Sequence, residues 1–221
     1  MWRNIGSVSL IALATPLVLL WAFIFFEPVQ VLPRIRPAPG YNLVDQEGRS
    51  FGTENLRGSL TVYSITYTGC GGACPDQTAR MRELQTALAT SDSPVPVRLV
   101  TLSIDTFRDT PDVLRAYGVA HGADFERWTF LTGSETDVRR VAGRGYEVFY
   151  SRQADQSYKL DTRMFLVDGW GIIRAIYGTD DYIPSIERLL RDIRLVGEEA
   201  AAMNDPSALA YEAAQLFSCF P

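Results

Sequence analysis

With 221 residues the chain is long enough for one well-buried domain and an appendage, and too short for two ordinary domains. It is 47% hydrophobic and 21% charged, with a formal net charge of -5. Its basic charge is almost wholly arginine, Lys159 being the one lysine, and the acidic balance argues against a nucleic-acid partner.

After a four-residue tail (1–4), the 22 residues from Ile5 to Phe26 carry no charge. As a helix they span about 33 Å, enough to cross a bilayer. A cleaved signal peptide is the rival reading, with Ala12-Leu13-Ala14 as a small-x-small site. The apolar run continues for twelve residues past that site, so 5–26 is expected to be an uncleaved transmembrane anchor. Pro16 in mid-span is tolerable in a membrane helix. Flanking charge does not set orientation, since Arg3 precedes the span while Arg34 and Arg36 follow it. The short tail makes an inside amino terminus the simplest topology, with the domain outside the inner membrane. That places it in the periplasm, or in the mitochondrial intermembrane space of a eukaryote. Residues 27–40, with four prolines, read as a semi-extended spacer. The domain is expected over 41–197 and a tail over 198–221.

Tyr41 to Leu56 predicts a leading hairpin about the turn Gln46-Glu47-Gly48. Ser59 to Tyr67, apolar on both faces, predicts a central strand. Met81, Leu84 and Leu88 recur at helical spacing after Pro75, and Pro96 to Ile104 is a second buried-strand pattern. Thr110-Pro111 opens a helix that runs to Tyr117-Gly118. "WTFL" is a short strand, Ser134-x-x-Asp137 resembles a capping box, and "RMFLVD" and "IIRAIYG" form a hairpin across Gly169-Trp170-Gly171. Ile183, Ile186, Leu190 and Ile193 mark a last amphipathic helix, and Leu209, Ala213 and Leu216 in the tail suggest a short one packed on the domain or the membrane. The fold class that follows is α/β, a mixed sheet covered on both faces.

Cys70 and Cys74 stand where the central strand gives way to a helix, the end at which ligands gather in an open α/β sheet. Four readings are open: buried small hydrophobes, a static disulfide, a redox couple and ligands for a soft metal. Residues four apart bring their Cα atoms to about 6 Å, which suits a disulfide and also two thiolates on one ion. Helix amides aimed at that point favour thiolate, which weights the last two readings. Cys219 makes the count odd, as an intermolecular partner, a resolving thiol or an incidental residue.

"YSITYTGCGGACPDQTARM", then "LVTLSIDTFRDTPDVLRAYGVAHGADFERWTFLTG", then "FLVDGWGIIRAIYG" resemble the SCO/SenC family of membrane-tethered, thioredoxin-like proteins, from about Tyr41 to Val196. The resemblance implies a thioredoxin-like fold and a copper-handling or thiol-exchanging role in assembling the binuclear copper centre of cytochrome c oxidase. It implies that Cys70 and Cys74 bind copper. It implies as partner the copper-bearing oxidase subunit or another periplasmic copper or thiol protein. The family's third ligand, a histidine, falls on Leu160, with Asp161 beside it as a carboxylate that either pairs with a cation or edges a metal site. His121, the one histidine, sits at a helix end and reads as a solvated or C-capping residue. Met164, four residues after Leu160 and expected on the same strand face, is a conceivable soft substitute but reads first as core.

Two thiolates suffice for cuprous ion, whereas cupric ion prefers four ligands with imidazole among them, so Cu(I) is the favoured cargo and Cu(II) is expected to bind poorly. Asp105 to Thr110, part of the same resemblance, reads either as a polar loop beside the cysteine site or as a helix entry in which Asp109 and Thr110 cap exposed amides and Arg108 pairs locally. Two functions follow: a copper(I) chaperone on Cys70 and Cys74, or a thiol-disulfide oxidoreductase in which the same pair keeps a partner's cysteines reduced. A peroxidase of the same superfamily is disfavoured, because Tyr67 stands where peroxiredoxins carry threonine or serine.

Overall fold

The computed structural model describes Thr15 and residues 30–71, 74–91, 93–178, 183–203, 205 and 207–218. The expected anchor 5–26, apart from Thr15, and Cys219 lie outside these residues. Among the described residues no helix is long and apolar enough to cross a membrane.

The stretch LTVYSIT, Leu60–Thr66, is buried at every position, as a β-branched and aromatic run with neighbours on both faces requires. It is the central strand, β4. Before it come β1 (Arg36–Pro37), β2 (Asn42–Asp45), β3 (Ser50–Gly52) and a 3-10 turn over Thr53–Leu56. After it come α1 (Cys74–Thr90), β5 (Val97–Ser103), α2 (Pro111–Ala120) and β6 (Trp128–Thr132). A single turn, α3 (Glu135–Val138), runs into a π-helical turn over Arg139–Gly145. The chain continues through β7 (Tyr150–Arg152), β8 (Tyr158–Leu160), β9 (Met164–Val167), β10 (Ile172–Tyr177), α4 (Ile186–Ala202) and α5 (Ala208–Ser218).

The main sheet has the order β1-β10-β9-β4-β5-β6-β2-β3, with β7 and β8 apart as a two-stranded hairpin. β4, β5 and β6 are parallel, while β9 lies antiparallel against β4 and β10 against β9. Alternation along β4 sends Tyr63 and Ile65 to one face and Leu60 and Val62 to the other. The first face is filled by Val138, Val141, Ala142 and Tyr146 with Tyr41 and Leu43. The second packs on Met81 and Leu84 of α1, Leu114 of α2 and Leu189 and Ile193 of α4. This is the expected thioredoxin-like mixed sheet covered on both faces.

The ordered domain begins earlier than Tyr41. β1, inside the stretch read as a spacer, pairs with β10, Arg36 opposite Ile173. Proline suits such an edge position, where its missing N–H costs no ladder bond. Behind β1, the buried Arg174 guanidinium donates to the carbonyls of Leu32 (2.6 Å) and Pro33 (3.3 Å) and pairs with Asp168 (3.2 Å) and Glu199 (2.5 Å). Arg34 reaches Glu199 and Glu212. The expected tail helix, α5, packs on the domain through Ala214 and Gln215, both buried.

Candidate metal and redox site

β4 ends at Thr66 and the chain turns at once, Cys70 N–H donating to Tyr67 O at 3.1 Å. Cys74 is the first residue of α1, with Pro75 behind it, where a missing N–H is harmless because first-turn amides have no partner within the helix. Cys70 and Cys74 are joined as a disulfide with Cα atoms 5.8 Å apart. Cys74 is 3% exposed, and Cys70 is half-buried against the first core cluster. The pair is therefore bonded, and the reading of two independent buried hydrophobes falls.

Tyr67 ties the β7–β8 hairpin to this turn. Its hydroxyl accepts from Tyr158 N–H (3.0 Å) and donates to Tyr158 O (3.3 Å), and the two rings lie 5.3 Å apart. Burial pushes the Tyr158 phenol above its ordinary value, which keeps it neutral. Leu160, opposite Tyr150 in the hairpin, packs against the same core cluster as Cys70. The position that the resemblance reserves for imidazole thus carries an apolar side chain. Asp161 is paired with Arg163 at 2.5 Å. Gln77, one turn after Cys74 and fully buried, donates to Arg163 O at 2.7 Å, so α1 also holds the segment that follows Leu160.

Two expectations need correction. Met164 does not share a face with Leu160: a loop separates β8 from β9, and Met164 is buried in the second core cluster, with Met81 and Leu84. It is a core residue. Asp109 and Thr110 do not cap by side chain. Thr110 occupies the N-cap of α2 without a side-chain bond, and Asp109, 0% exposed, reaches 41 residues back to Thr68 in the cysteine turn. Of the two readings of Asp105 to Thr110, the polar loop beside the cysteine site is the one this contact fits. Arg108 does pair locally, with Asp105 at 2.5 Å, and that bond and charge raise its basicity further. His121 ends α2 with its N–H on Tyr117 O and its ring 4.3 Å from the Tyr117 ring. Among the described residues no group of three or more His, Cys, Asp or Glu is placed to hold a metal ion.

The model of the SCO1/SenC family matches residues 33–196. The chain belongs to the SCO1/SenC family. The SCO1 protein homolog of Bacillus subtilis is 25% identical over 130 residues, which are 58% of this chain and 66% of that protein, just under two thirds of its length. The structure of Arabidopsis thaliana ScoI with copper bound matches with a TM-score of 0.61 at 24% identity, over 71% of this chain and 98% of that one. BsSco, described as a member of the Sco family of cytochrome c oxidase assembly proteins, matches with a TM-score of 0.66 at 22% identity, over 79% of this chain and 98% of that one. At these identities the two structural matches carry the fold. In this SCO1/SenC chain both cysteines stand at the strand-to-helix turn, and residue 160 is leucine.

Proposed function

We propose that this protein is a copper(I)-binding assembly factor for the binuclear copper centre of cytochrome c oxidase, carrying cuprous ion on Cys70 and Cys74. The observation that carries the reading is the pair of sulfurs held together at the first turn of α1 in a SCO1/SenC chain. Copper bound in a solved relative and oxidase assembly in the description of another support it. The cargo would be taken up by the dithiol: a partner dithiol would give up two electrons and two protons to open the disulfide, becoming a disulfide itself, and cuprous ion would then displace both protons to sit between two soft thiolates. Leu160 offers no fourth or third hard ligand, which disfavours cupric ion. The apolar span 5–26 would tether the domain to the inner membrane, facing the periplasm. The partner would be the copper-bearing oxidase subunit or another periplasmic copper or thiol protein, with no nucleic acid involved.

The disulfide itself favours a second reading, a tethered thiol-disulfide oxidoreductase that returns a partner's cysteines to the thiol state and is left oxidised. Anaerobic titration of the reduced protein against a competing chelator separates the two. The chaperone reading expects one cuprous ion held tightly per chain and cupric ion held poorly. Absence of cuprous binding together with reversible disulfide formation would select the oxidoreductase.

Leu160→His tests whether the apolar side chain limits cupric binding. The variant is expected to show a visible thiolate-to-cupric absorption band that the parent lacks. An unchanged spectrum in a variant whose circular dichroism is intact would mean that residue 160 does not reach the bound ion.

A further inference from the structure

We propose that Asp109 positions the thiol pair: its carboxylate clasps the cysteine turn to the end of β5 and so sets how readily the two sulfurs meet. The proposal rests on Cys70 and Cys74 being the working pair.

Asp109 Oδ2 accepts from Thr68 N–H (2.9 Å) and from the Ser103 hydroxyl (2.5 Å), and Oδ1 accepts from the Thr68 hydroxyl (2.5 Å). Ser103 Oγ in turn accepts from Asp105 N–H at 3.1 Å, and Asp109 N–H donates to Asp105 O at 2.9 Å, so the carboxylate is aimed by its own loop. Burying a carboxylate is costly, and here three hydrogen bonds offset that cost without a cationic partner among them. Capping α2 does not require this, since the Asp109 side chain makes no bond to that helix. What the arrangement does is hold Thr68, two residues before Cys70.

Gly69 and Gly71 flank Cys70 and have no side chain with which to anchor the turn. Between Tyr67 and Cys74, and apart from Cys70 in the disulfide, Thr68 is the one described residue whose side chain is fastened to another part of the fold. α1 fixes the Cys74 end and Asp109 the Cys70 end. Closing a disulfide and chelating one ion both depend on the effective concentration of one sulfur at the other, and both weaken if either end is released.

Thr68→Val removes the hydroxyl bond and keeps the N–H bond, Asp109→Asn removes the charge at similar size, and Thr68→Ser restores the hydroxyl. Each protein is equilibrated with glutathione redox buffers, and its cuprous affinity is read by chelator competition. Thr68→Val and Asp109→Asn are expected to lower both constants about tenfold, in the range that loss of an outer-shell partner costs. A tenfold loss in the disulfide constant is a shift of about 30 mV. Thr68→Ser should match the parent. A lowered thermal midpoint with both constants unchanged in the folded variants would mean that Asp109 is structural only, and would overturn the proposal. So would a Thr68→Ser protein as impaired as Thr68→Val. If Asp109→Asn fails to fold, the threonine pair decides. Failure of the parent itself to form a reversible disulfide would instead overturn the assignment of the thiol pair.

Discussion

Cys70→Ser combined with Cys74→Ser is expected to abolish tight cuprous binding while leaving the fold in place. Serine replaces a soft, readily ionised sulfur by a hard hydroxyl that stays protonated at neutral pH, so the ion loses both ligands at once. The loss should go well beyond the about 10–100-fold that an outer-shell substitution costs. The fold should survive for two reasons. A serine at 74 meets the unpartnered amides of the first turn of α1, which accommodate a hydroxyl oxygen. The disulfide closes only a short loop, worth about 2 kcal/mol by the chain-entropy relation, so the variant should be weaker than the oxidised parent by about that amount and equal to the reduced one. Chelator competition on the double variant, with urea unfolding of both parent forms alongside, checks both statements. Retention of one cuprous ion per chain would remove the site assignment.

Ser59 to Tyr67 could be read as a central strand because its apolar residues occupy both parities, and only a strand covered on both faces tolerates that pattern. The thiol turn was legible for a related reason: two cysteines immediately after such a strand have one end of the sheet available to them. The resemblance, counted back from Phe165, puts the family's histidine position on Leu160, and the structure sets that residue against the same core cluster as Cys70. Met164 was misplaced by the same counting, since a parity of four holds along one strand and fails across the loop at Asp161–Arg163.

The polar interior was far less legible. Asp109 reads locally either as a helix cap or as part of a polar loop beside the cysteines, and nothing in the neighbouring residues announces that its partner is Thr68. Arg174 is the one charge in the strand Ile172–Tyr177, and it is fully buried. Its partners, Leu32, Pro33, Asp168 and Glu199, come from three separate stretches of the chain. Periodicity reports which side chains are apolar enough to be buried. It carries no information about a charge whose burial is compensated by residues far away in sequence.

Arg174→Met is expected to cost about 3–5 kcal/mol, because it leaves carboxylates buried without their cation. Asp168 keeps two backbone donors, the N–H groups of Trp170 (3.0 Å) and Ile172 (2.9 Å), so most of the strain falls on Glu199. Glu199 retains Arg34 and Gln215, but Arg34 is 37% exposed and its pairing is screened by water. Arg34→Met should accordingly cost no more than about 1 kcal/mol. The sharper expectation is one of sign: adding Glu199→Leu to Arg174→Met should recover stability, since an apolar pair fills the space without an unpaired charge. Urea midpoints of the single and double variants give the comparison. Glu199, Glu212 and Gln215 all lie beyond residue 196, where the family match ends, yet they hold the incoming segment Leu32 to Arg34 against β10. Limited proteolysis should therefore open two places together in Arg174→Met, the segment before β1 and helix α5. Cleavage before β1 with α5 still protected would show that the carboxyl-terminal helix is held by its apolar contacts alone, and that the buried charges fasten only the entering strand.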